Sequence, residues 1–330
     1  MSINVLFSRF EDLNILVIGD LMLDTYLWGK VERVSPEAPI PIVNVNRKEN
    51  RPGGAGNVLM NIVSLGAKPL ICSVIGSDIE GEELLEILKK NKIHTEGIIC
   101  DKYRKTTVKQ RIIASHQQML RIDSEDDHEL EKEINVQFLA SVRRYLSKAH
   151  AVIFQDYDKG VLNKKNISAI IKMAKQKKIP VLVDPKKRNF SHYKGATLLK
   201  PNLKELKEGM KVEVDSESDT ALRKISQRLL NLMSLDSVLL TLAEKGIFYL
   251  DKNESFRISA KVRSVSDVSG AGDTVISVMA LCMGAGATPK VAVELANLAA
   301  GLVCEKIGAV PVNKEELLKT VMGNKEQWNI

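Results

Sequence analysis

The segment Asp267-Val-Ser-Gly-Ala-Gly-Asp273-Thr274 joins a glycine-containing turn to a carboxylate, at the head of the apolar run from Val275 to Met283. Because its side chains are small or absent, the backbone from Gly270 to Gly272 can approach a ligand closely. A helix beginning there would direct unpaired N–H groups and its positive dipole end at an anion, and a phosphate suits such a site. Asp273 is then best explained as a base that takes the proton of a hydroxyl attacking that phosphate. The segment predicts phosphoryl transfer to an alcohol.

The same residues have a simpler interpretation that needs no ligand. The residues from Gly270 to Asp273 would form a tight turn, in which the Asp273 side chain caps the following helix. The segment is not a nucleotide-binding loop of the Walker A type, since no Gly-Lys-Ser or Gly-Lys-Thr follows the glycines. Both interpretations stay open at this point, and other parts of the chain must decide between them.

A second glycine-rich segment, Pro52-Gly-Gly-Ala-Gly-Asn57, lies much earlier in the chain. Gly53 and Gly54 again allow a close approach of the backbone to a ligand. The amide of Asn57 both donates and accepts hydrogen bonds, which suits sugar hydroxyls. A helical pattern follows from Val58 to Leu65, so close packing of that helix explains the glycines equally well.

In this order, the two segments resemble the signatures of the ribokinase-like (PfkB) carbohydrate kinases, and the resemblance covers nearly the whole chain. It implies a single α/β domain over residues 1–330, built as a three-layer α/β/α sandwich with a mainly parallel central sheet and a small β lid. In that family the first segment holds the sugar, and the second provides the catalytic aspartate and an anion hole. The resemblance assigns sugar binding to Gly53, Gly54 and Asn57, and it makes Asp273 the base. The residues implied for the anion hole are Gly270, Ala271 and Gly272.

Two further patterns extend this resemblance. The apolar segment ending at Gly19 is followed by Asp20 and Asp24, and relatives use an aspartate there to grip sugar hydroxyls. The segment from Lys200 to Glu205 matches the Asn-x-x-Glu element that organises magnesium and phosphate, with Glu205 acting on the ion through water. From the residues alone, it is a helix N-cap with a capping box. The nucleotide-binding residues that the resemblance implies are Asn202, Leu203, Lys204, Glu205, Thr241, Gly246, Gly272 and Asn297.

A finer resemblance points to one group of relatives. The segments that contain Asp24, Arg33, Arg121, Asp156 and Asp184 are similar to the bacterial heptose 7-phosphate kinases. Those enzymes use ATP to phosphorylate the C1 hydroxyl of D-glycero-β-D-manno-heptose 7-phosphate, on the route to ADP-heptose for lipopolysaccharide. The resemblance therefore implies ATP and Mg²⁺ as cofactors, with a monovalent cation as a further candidate. It also implies an enzyme that forms homodimers, because lid sheets in relatives often pair.

Residues 26–48 and 102–123 break the alternation of strands and helices, and related kinases form the lid from such segments. A strand through this region would place Lys109 and Arg111 on one face, where cations suit a 7-phosphate. Arg121 and Lys186 are further candidates, because a guanidinium matches phosphate geometry and lysine carries a movable charge. The alternative is an exposed strand edge protected by charges.

The chain departs from these relatives in two places. Leu242 stands where many relatives carry an arginine, so a nucleotide contact from that side chain is lost. Many heptose kinases also continue into an adenylyltransferase domain with a His-x-Gly-His motif. This sequence contains no such motif, and a separate adenylyltransferase is expected to act in the same pathway.

Composition narrows the remaining function classes. The net charge of +7 raises the question of nucleic acid, but the lysines are dispersed and aromatic residues make up only 5% of the chain. No apolar run reaches the ~20 residues that span a bilayer, and the N-terminus lacks a signal-peptide pattern, which predicts a cytoplasmic protein. The four cysteines lack metal-ligand spacing and are expected to be buried thiols. Two alternatives stay open: another sugar or nucleoside kinase of this family, and a non-catalytic sugar or nucleotide sensor with this fold.

Short apolar runs that alternate with helical patterns would position all of these residues. The predicted strands cover residues 15–19, 69–75, 151–155, 181–184, 197–200 and 238–242. This alternation predicts a mainly parallel sheet with helices on both faces. Asp20, Asp156, Asp184, Asn202 and Thr241 lie at the carboxyl ends of these strands, where open α/β sheets bind their ligands. Fold and motifs therefore predict a common site.

Overall fold

The protein is described from a computed structural model, which covers residues 1–114, 117–261 and 266–323. The strands are β1 (Asn14–Gly19), β2 (Leu21–Val34), β3 (Pro41–Gly54), β4 (Lys68–Gly76), β5 (Ile98–Asp101), β6 (Thr107–Ala114), β7 (Gln117–Ser124), β8 (Ala151–Gln155), β9 (Val181–Asp184), β10 (Leu198–Leu199), β11 (Ser237–Thr241), β12 (Ile247–Asp251) and β13 (Ser255–Ile258). The helices are α1 (Ile3–Phe10), α2 (Ala55–Ser64), α3 (Ile79–Lys90), α4 (Lys132–Leu146), α5 (Lys164–Gln176), α6 (Leu203–Met210), α7 (Asp219–Met233), α8 (Ala271–Gly284), α9 (Pro289–Cys304) and α10 (Lys314–Gly323).

The larger sheet has the order β13-β12-β11-β10-β9-β8-β1-β4-β5 among the described residues. Its pairs from β5 to β11 are parallel, and β12 and β13 add an antiparallel edge. Strand β1 shows how the layers arise, because successive side chains point to opposite faces. Ile15 and Val17 pack in one core with α1, α2, α3, α8, α9 and α10, whereas Leu16 and Ile18 pack in the other with α4 to α7. The predicted three-layer sandwich is confirmed.

A second, smaller sheet forms the predicted lid, in the order β3-β2-β6-β7. Strands β2 and β3 are antiparallel, β6 runs parallel to β2, and β7 runs antiparallel to β6. The lid begins earlier than predicted: β2 starts at Leu21, and β3 continues to Gly54. Both strands are buried near the body and exposed further out. The inner ends of the two strands, residues 21–25 and 49–54, were therefore not included in the predicted lid.

The strand predictions hold where a strand is buried on both faces and are incomplete at the edges of the larger sheet. The predicted strands 151–155 and 181–184 match β8 and β9. Strands β5, β12 and β13 were not predicted. Strands β5 and β13 are short edge strands without a long apolar run, whereas β12 contains the apolar run from Ile247 to Leu250 and was missed. Cys100 lies on edge strand β5 and is exposed, so the expectation of a buried thiol is wrong for this residue. Across the described residues, no helix is both long and apolar enough to cross a membrane.

Candidate active site

The start of α8 lies at the carboxyl edge of the larger sheet, beside the ends of β8 and β9. Gly270 is the N-cap of the helix and adopts φ +82°, a conformation that favours glycine. Asp267 closes the preceding turn, because its carboxylate accepts the Ser269 and Gly308 N–H groups, both at 2.9 Å. Ala271 N–H donates to the Val268 carbonyl at 3.3 Å. The interpretation in which Asp273 caps the helix is therefore wrong.

Asp273 is the third residue of α8, and its carboxylate is buried among side-chain donors. Its Oδ2 accepts the Asn57 amide at 2.7 Å, so the two glycine-rich segments meet at this contact. Its Oδ1 accepts the Gln155 amide at 2.8 Å and the Tyr157 hydroxyl at 3.2 Å. Gln155 and Tyr157 were not predicted as site residues, although they flank the predicted strand end at Asp156.

The pKa of Asp273 is raised from its ordinary 3.8 to about 6. Burial is the main cause, and the negative charge of Asp184 adds to it. The Asn57 hydrogen bond, the charge of Lys200 and the Tyr157 hydroxyl act in the opposite direction. A carboxyl group with this pKa is ionised at neutral pH and accepts a proton more readily than an ordinary aspartate.

A buried ion pair lies against the glycine turn. Lys200 Nζ and the Asp184 carboxylate are 3.1 Å apart, and both side chains are less than a tenth exposed. A Cβ on Gly272 would lie 3.3 Å from Lys200 Nζ, so the lysine approaches the first turn of α8 closely. The sequence indicated no separate role for Lys200, which was named only as the first residue of the segment that contains Asn202. Its position places a cation where an anion bound at the turn would need one.

The two aspartates after β1 have different surroundings. The Asp20 carboxylate is 1% exposed, and its Oδ2 accepts the backbone N–H groups of Tyr157 at 2.7 Å and Lys159 at 3.2 Å. Burial and the nearby Asp156 charge raise the pKa of Asp20. These contacts differ from the predicted grip on sugar hydroxyls, since Asp20 holds the loop after β8.

Asp24 instead lies on lid strand β2, where its Oδ1 accepts Arg111 Nη1 at 2.5 Å. Gly53 on β3 pairs with Met22 on β2. A Cβ added to Gly53 would overlap Asp24 Oδ2 and lie 2.6 Å from Asp24 Cγ. Gly54 has φ +58°, and its added Cβ would lie 2.6 Å from the Asp20 carbonyl oxygen. Both glycines therefore permit the close approach of β3 to the two aspartate segments.

The predicted basic residues of the lid are all engaged with carboxylates. Lys109 Nζ lies 3.2 Å from Asp123 and 3.3 Å from Glu125. Arg121 pairs with Asp123 at 2.9 Å and is half exposed. Lys109 and Arg111 contact acids on the neighbouring strands β7 and β2, as their predicted common face requires.

One lid cation was missed by the sequence reasoning. The guanidinium carbon of Arg51 lies 5.0 Å from the Tyr26 ring centroid, and that of Arg111 lies 5.3 Å from it. Tyr26 is 3% exposed, so the two guanidinium groups share a buried aromatic neighbour. Arg51 immediately precedes the glycine-rich segment, but only the pairing of β3 with β2 brings it to Asp24.

Lys186 lies near α8 and α6 rather than on the lid. It pairs with Glu205, and its Nζ lies 5.3 Å from the Tyr157 ring centroid. Burial alone would lower the pKa of Lys186, but the carboxylates of Asp184 and Glu205 raise it, so the side chain is charged. This position differs from a lid site and places Lys186 next to the predicted magnesium residue.

Asn202 and Glu205 form a capping box at the start of α6, with bonds of 2.8 Å and 2.9 Å. The N-cap and capping box predicted from these residues alone are therefore confirmed. Among the described residues, no group of three or more His, Cys, Asp or Glu side chains could hold a metal ion. A magnesium ion here would need most of its ligands from a nucleotide and water, and the Glu205 oxygens could accept hydrogen bonds from such waters.

The other predicted nucleotide residues lie along the neighbouring strand ends. Asn202 forms an isolated parallel bridge with Thr241, and Gly246 follows with φ +89°. Leu203 packs against the core, whereas Lys204 is exposed and lies 4.0 Å from Glu208. The Asn297 amide donates to the Ser259 carbonyl at 2.8 Å.

Comparisons with known proteins agree with this arrangement. Residues 12–316 match the family model described as pfkB family carbohydrate kinase. A protein named Bifunctional protein HldE from Methylobacillus flagellatus is 44% identical over 304 residues, which are 92% of this chain and 62% of that protein. The protein of that name from Pelobacter propionicus is 41% identical over 322 residues, 97% of this chain and 65% of the relative. The chain therefore spans less than two thirds of the length of these relatives.

Solved structures share the fold at low sequence identity. Phosphofructokinase-2 from Escherichia coli, in complex with potassium, has a TM-score of 0.77 at 19% identity and covers 93% of this chain and 97% of its own. Ribokinase from Arabidopsis thaliana, complexed with ribose and ATP, has a TM-score of 0.72 at 18% identity and covers 93% and 98%. The predicted ribokinase-like fold is confirmed.

Proposed function

The chain belongs to the pfkB family of carbohydrate kinases, and from that membership we propose that it phosphorylates the C1 hydroxyl of D-glycero-β-D-manno-heptose 7-phosphate with ATP. The product is the 1,7-bisphosphate, a precursor of ADP-heptose for lipopolysaccharide. The observation that carries the proposal is the buried Asp273 carboxylate, with its raised pKa, beside the glycine turn of α8. The lid cations and the named relatives support the phosphorylated heptose as the acceptor.

In the proposed reaction, Asp273 takes the proton of the C1 hydroxyl as its oxygen attacks the γ-phosphorus of ATP. The bond from that phosphorus to the ADP oxygen breaks, and its electron pair leaves with ADP. The backbone N–H group of Gly272, together with the positive end of α8, stabilises the charge on the transferring group. The Ala271 N–H would join it when the phosphate takes the place of the Val268 carbonyl, to which this N–H donates at 3.3 Å. Lys200 adds a positive charge beside Gly272. Closure of the lid excludes water, which would otherwise accept the phosphoryl group.

The sugar is held between α2 and the lid. Asn57 donates to Asp273 and lies at the junction of both glycine-rich segments, so its amide can orient the acceptor hydroxyl. Asp24 accepts hydroxyl hydrogens, and Gly53 and Gly54 let the backbone of β3 approach the two aspartate segments beside the sugar closely. Asp20 contributes by holding the loop that carries Tyr157.

The 7-phosphate binds to the guanidinium groups of Arg111 and Arg51 in this proposal. Arg111 uses Nη1 for Asp24 and the Lys109 carbonyl, and a guanidinium has five N–H donors, so its other edge can serve a phosphate. Lys109 and Arg121 lie on the same sheet, and all of these cations have carboxylate partners. We place Lys109 and Arg121 second as ligands, because Arg111 and Arg51 lie together against Tyr26 and can offer two guanidinium groups to one phosphate. We assign Lys186 to the phosphates of ATP, because its charge lies between Asp184 and Glu205.

ATP lies along the carboxyl ends of β10 and β11, against the Asn202 to Glu205 turn, Thr241 and Gly246, with Asn297 beside the base. Magnesium, when bound with the nucleotide, neutralises phosphate charge, and Glu205 would hold it through water. We also propose that the enzyme uses a monovalent cation and that it forms a homodimer. We propose further that the product passes to an adenylyltransferase and that the reaction takes place in the cytoplasm.

The purified chain with ATP and magnesium should consume ATP with D-glycero-D-manno-heptose 7-phosphate at least 100-fold more efficiently than with unphosphorylated heptose or ribose, because about 3 kcal/mol of phosphate binding is then realised. Fructose 6-phosphate also carries a phosphate, so it tests selectivity for the sugar itself. A new anomeric phosphate in the ³¹P NMR spectrum of the product would confirm the transfer. Turnover with another sugar alone would contradict the acceptor but keep the phosphotransfer. A lack of turnover with every sugar would favour the sensor alternative.

The Gly53→Ala variant should raise KM for the sugar by more than about tenfold and leave KM for ATP unchanged. The added Cβ would overlap Asp24 Oδ2 and lie 2.9 Å from Met22 Cγ, so Asp24 must move away from the sugar. Gly323→Ala is the control, because an added Cβ there meets nothing within 4 Å. Equal changes in both KM values would show that the substitution disturbs more than the sugar site.

A further inference from the structure

The Asp273 carboxylate has four lone-pair directions, two on each oxygen. The Gln155 amide at 2.8 Å and the Tyr157 hydroxyl at 3.2 Å occupy both directions on Oδ1. The Asn57 amide at 2.7 Å occupies one direction on Oδ2. Within the described parts of the chain, these three neutral donors leave a single acceptor direction, and it is on Oδ2.

The orientation of Gln155 is determined by its neighbours. Its Nε2 donates to Asp273 Oδ1 and also to Asp184 Oδ2 at 3.3 Å. A flipped amide would turn its oxygen toward two carboxylates, which is unfavourable, so the donor must face them. Gln155 is fully buried at the end of β8, between the charges of Asp273 and Asp184. It separates two carboxylates that would otherwise repel each other.

Tyr157 is positioned from two sides. Its backbone N–H donates to Asp20 Oδ2 at 2.7 Å, which anchors the loop after β8. Its ring lies 5.3 Å from Lys186 Nζ, so the cation covers the aromatic face. The hydroxyl is thereby directed at Asp273 Oδ1, and burial raises the pKa of Tyr157 well above its usual range, which keeps it protonated as a donor.

We propose that Gln155 and Tyr157 are positioning residues that saturate Oδ1 of Asp273, so that Oδ2 alone receives the proton of the acceptor hydroxyl. The inference rests on the proposed function for the identity of the acceptor. The O–H electron pair of that hydroxyl forms the new bond to phosphorus, and the proton moves to Oδ2 beside Asn57. Asp20 acts one step further away, since it holds Tyr157 in place.

Among the described residues, the charged groups that face Asp273 are Asp184 at the end of β9, Lys186 in the loop after β9 and Lys200 after β10. None of them is removed by a change at Tyr157. The Tyr157→Phe variant loses a donor to the ionised carboxylate, so the pKa of Asp273 should rise by about one pH unit. The acid limb of the kcat profile should move to higher pH by the same amount, with KM for ATP unchanged.

Gln155→Met is the second variant, because it removes the donor that separates Asp273 from Asp184. Its acid limb should move to higher pH by at least as much as that of Tyr157→Phe. Tyr249→Phe is the matched control: the Tyr249 hydroxyl also donates to an aspartate, Asp251 at 3.0 Å, but on strand β12. Its profile should coincide with that of the unchanged protein.

A ¹³C NMR titration of labelled aspartate carboxyls, with Asp273 assigned from Asp273→Asn, gives the same pKa without turnover. This measurement separates the inference from the choice of sugar, since it needs no substrate. An unchanged Asp273 titration in both variants would overturn the inference. A rise in KM for the sugar with an unchanged pH profile would overturn it too, because Tyr157 would then contact the sugar directly.

Discussion

The Asp273→Asn variant should lose between about 100-fold and 10,000-fold in kcat, the usual contribution of a positioned base. An amide cannot take the proton of the acceptor hydroxyl, whereas the glycine turn that holds the transferring phosphate is unchanged. KM for ATP should therefore stay within about twofold, because the nucleotide residues lie on other strand ends. Steady-state kinetics with ATP and the sugar varied separately would measure both quantities.

The same variant should be more stable than the unchanged protein at pH 8. The folded-state pKa of Asp273, about 6, is above the ordinary value of 3.8, so its stabilising contribution is that of the protonated form. That contribution is complete below pH 3.8 and is lost as the pH rises through about 6. Above pH 6 the buried charge costs roughly 3 kcal/mol. Asparagine avoids this cost but turns its NH2 group toward one of the donors that Asp273 accepts, so the net gain is smaller than the charge cost. Thermal unfolding at pH 8 and pH 4 should show a gain in Tm that disappears at the lower pH.

Asp251→Asn provides the control for both measurements. Like Asp273, Asp251 accepts a tyrosine hydroxyl, but it lies at the far end of β12, where it accepts backbone N–H groups as well. It should retain full kcat. Parallel losses of ATP binding and turnover in Asp273→Asn would instead indicate that Asp273 maintains the start of α8 and does not act as the base.

The second large effect is expected from Arg111→Met on the lid. This change removes the guanidinium that pairs with Asp24 at 2.5 Å, so kcat/KM for heptose 7-phosphate should fall more than 100-fold, or about 3 kcal/mol. Arg111→Lys keeps the charge but loses the planar fork, and it should lose about tenfold. The ratio of kcat/KM for the phosphorylated and the unphosphorylated heptose is the quantity to measure.

That ratio separates phosphate binding from the effect on Asp24. Loss of Arg111 leaves the buried Asp24 carboxylate without its cation. This will weaken the binding of both the phosphorylated and the unphosphorylated heptose, and it will lower the free energy of unfolding. Arg47→Met is the matched control, because Arg47 lies on lid strand β3, pairs with Glu49 at 3.1 Å and is 59% exposed. A ratio that stays constant in Arg111→Met would contradict the assignment of the phosphate to this arginine.

Local features of the site could be predicted from the sequence because they depend on neighbours in the chain. Small residues before an apolar run predicted the start of α8, and Asn202 with Glu205 predicted a capping box. Strands β8 and β9 were predicted because strands covered on both faces are continuous apolar runs. Asp273 and Asn57 were identified as candidate site residues from local motifs of the same kind.

Contacts between distant segments could not be predicted in this way. The sequence grouped Asp20 and Asp24 as sugar ligands, and that role stays a prediction. It did not indicate that Asp20 also holds a backbone loop or that Asp24 also pairs with Arg111. Lys186 was expected near the sugar phosphate, yet it lies beside Glu205. In each case the partner depends on which strands are adjacent and in which register they pair.

The sequence by itself therefore predicted the layers of the fold and the identity of the candidate base, since these follow from residue type, spacing and periodicity, and the resemblance of its motifs to known signatures indicated the family. Only the tertiary structure decided how that base is held. Asp273 meets Asn57, Gln155 and Tyr157 from two other parts of the chain, and burial among them raises its pKa to about 6. The reason is physical: the charge state of a carboxyl group depends on the solvent it loses and the donors it gains, and both come from segments that the local pattern does not contain.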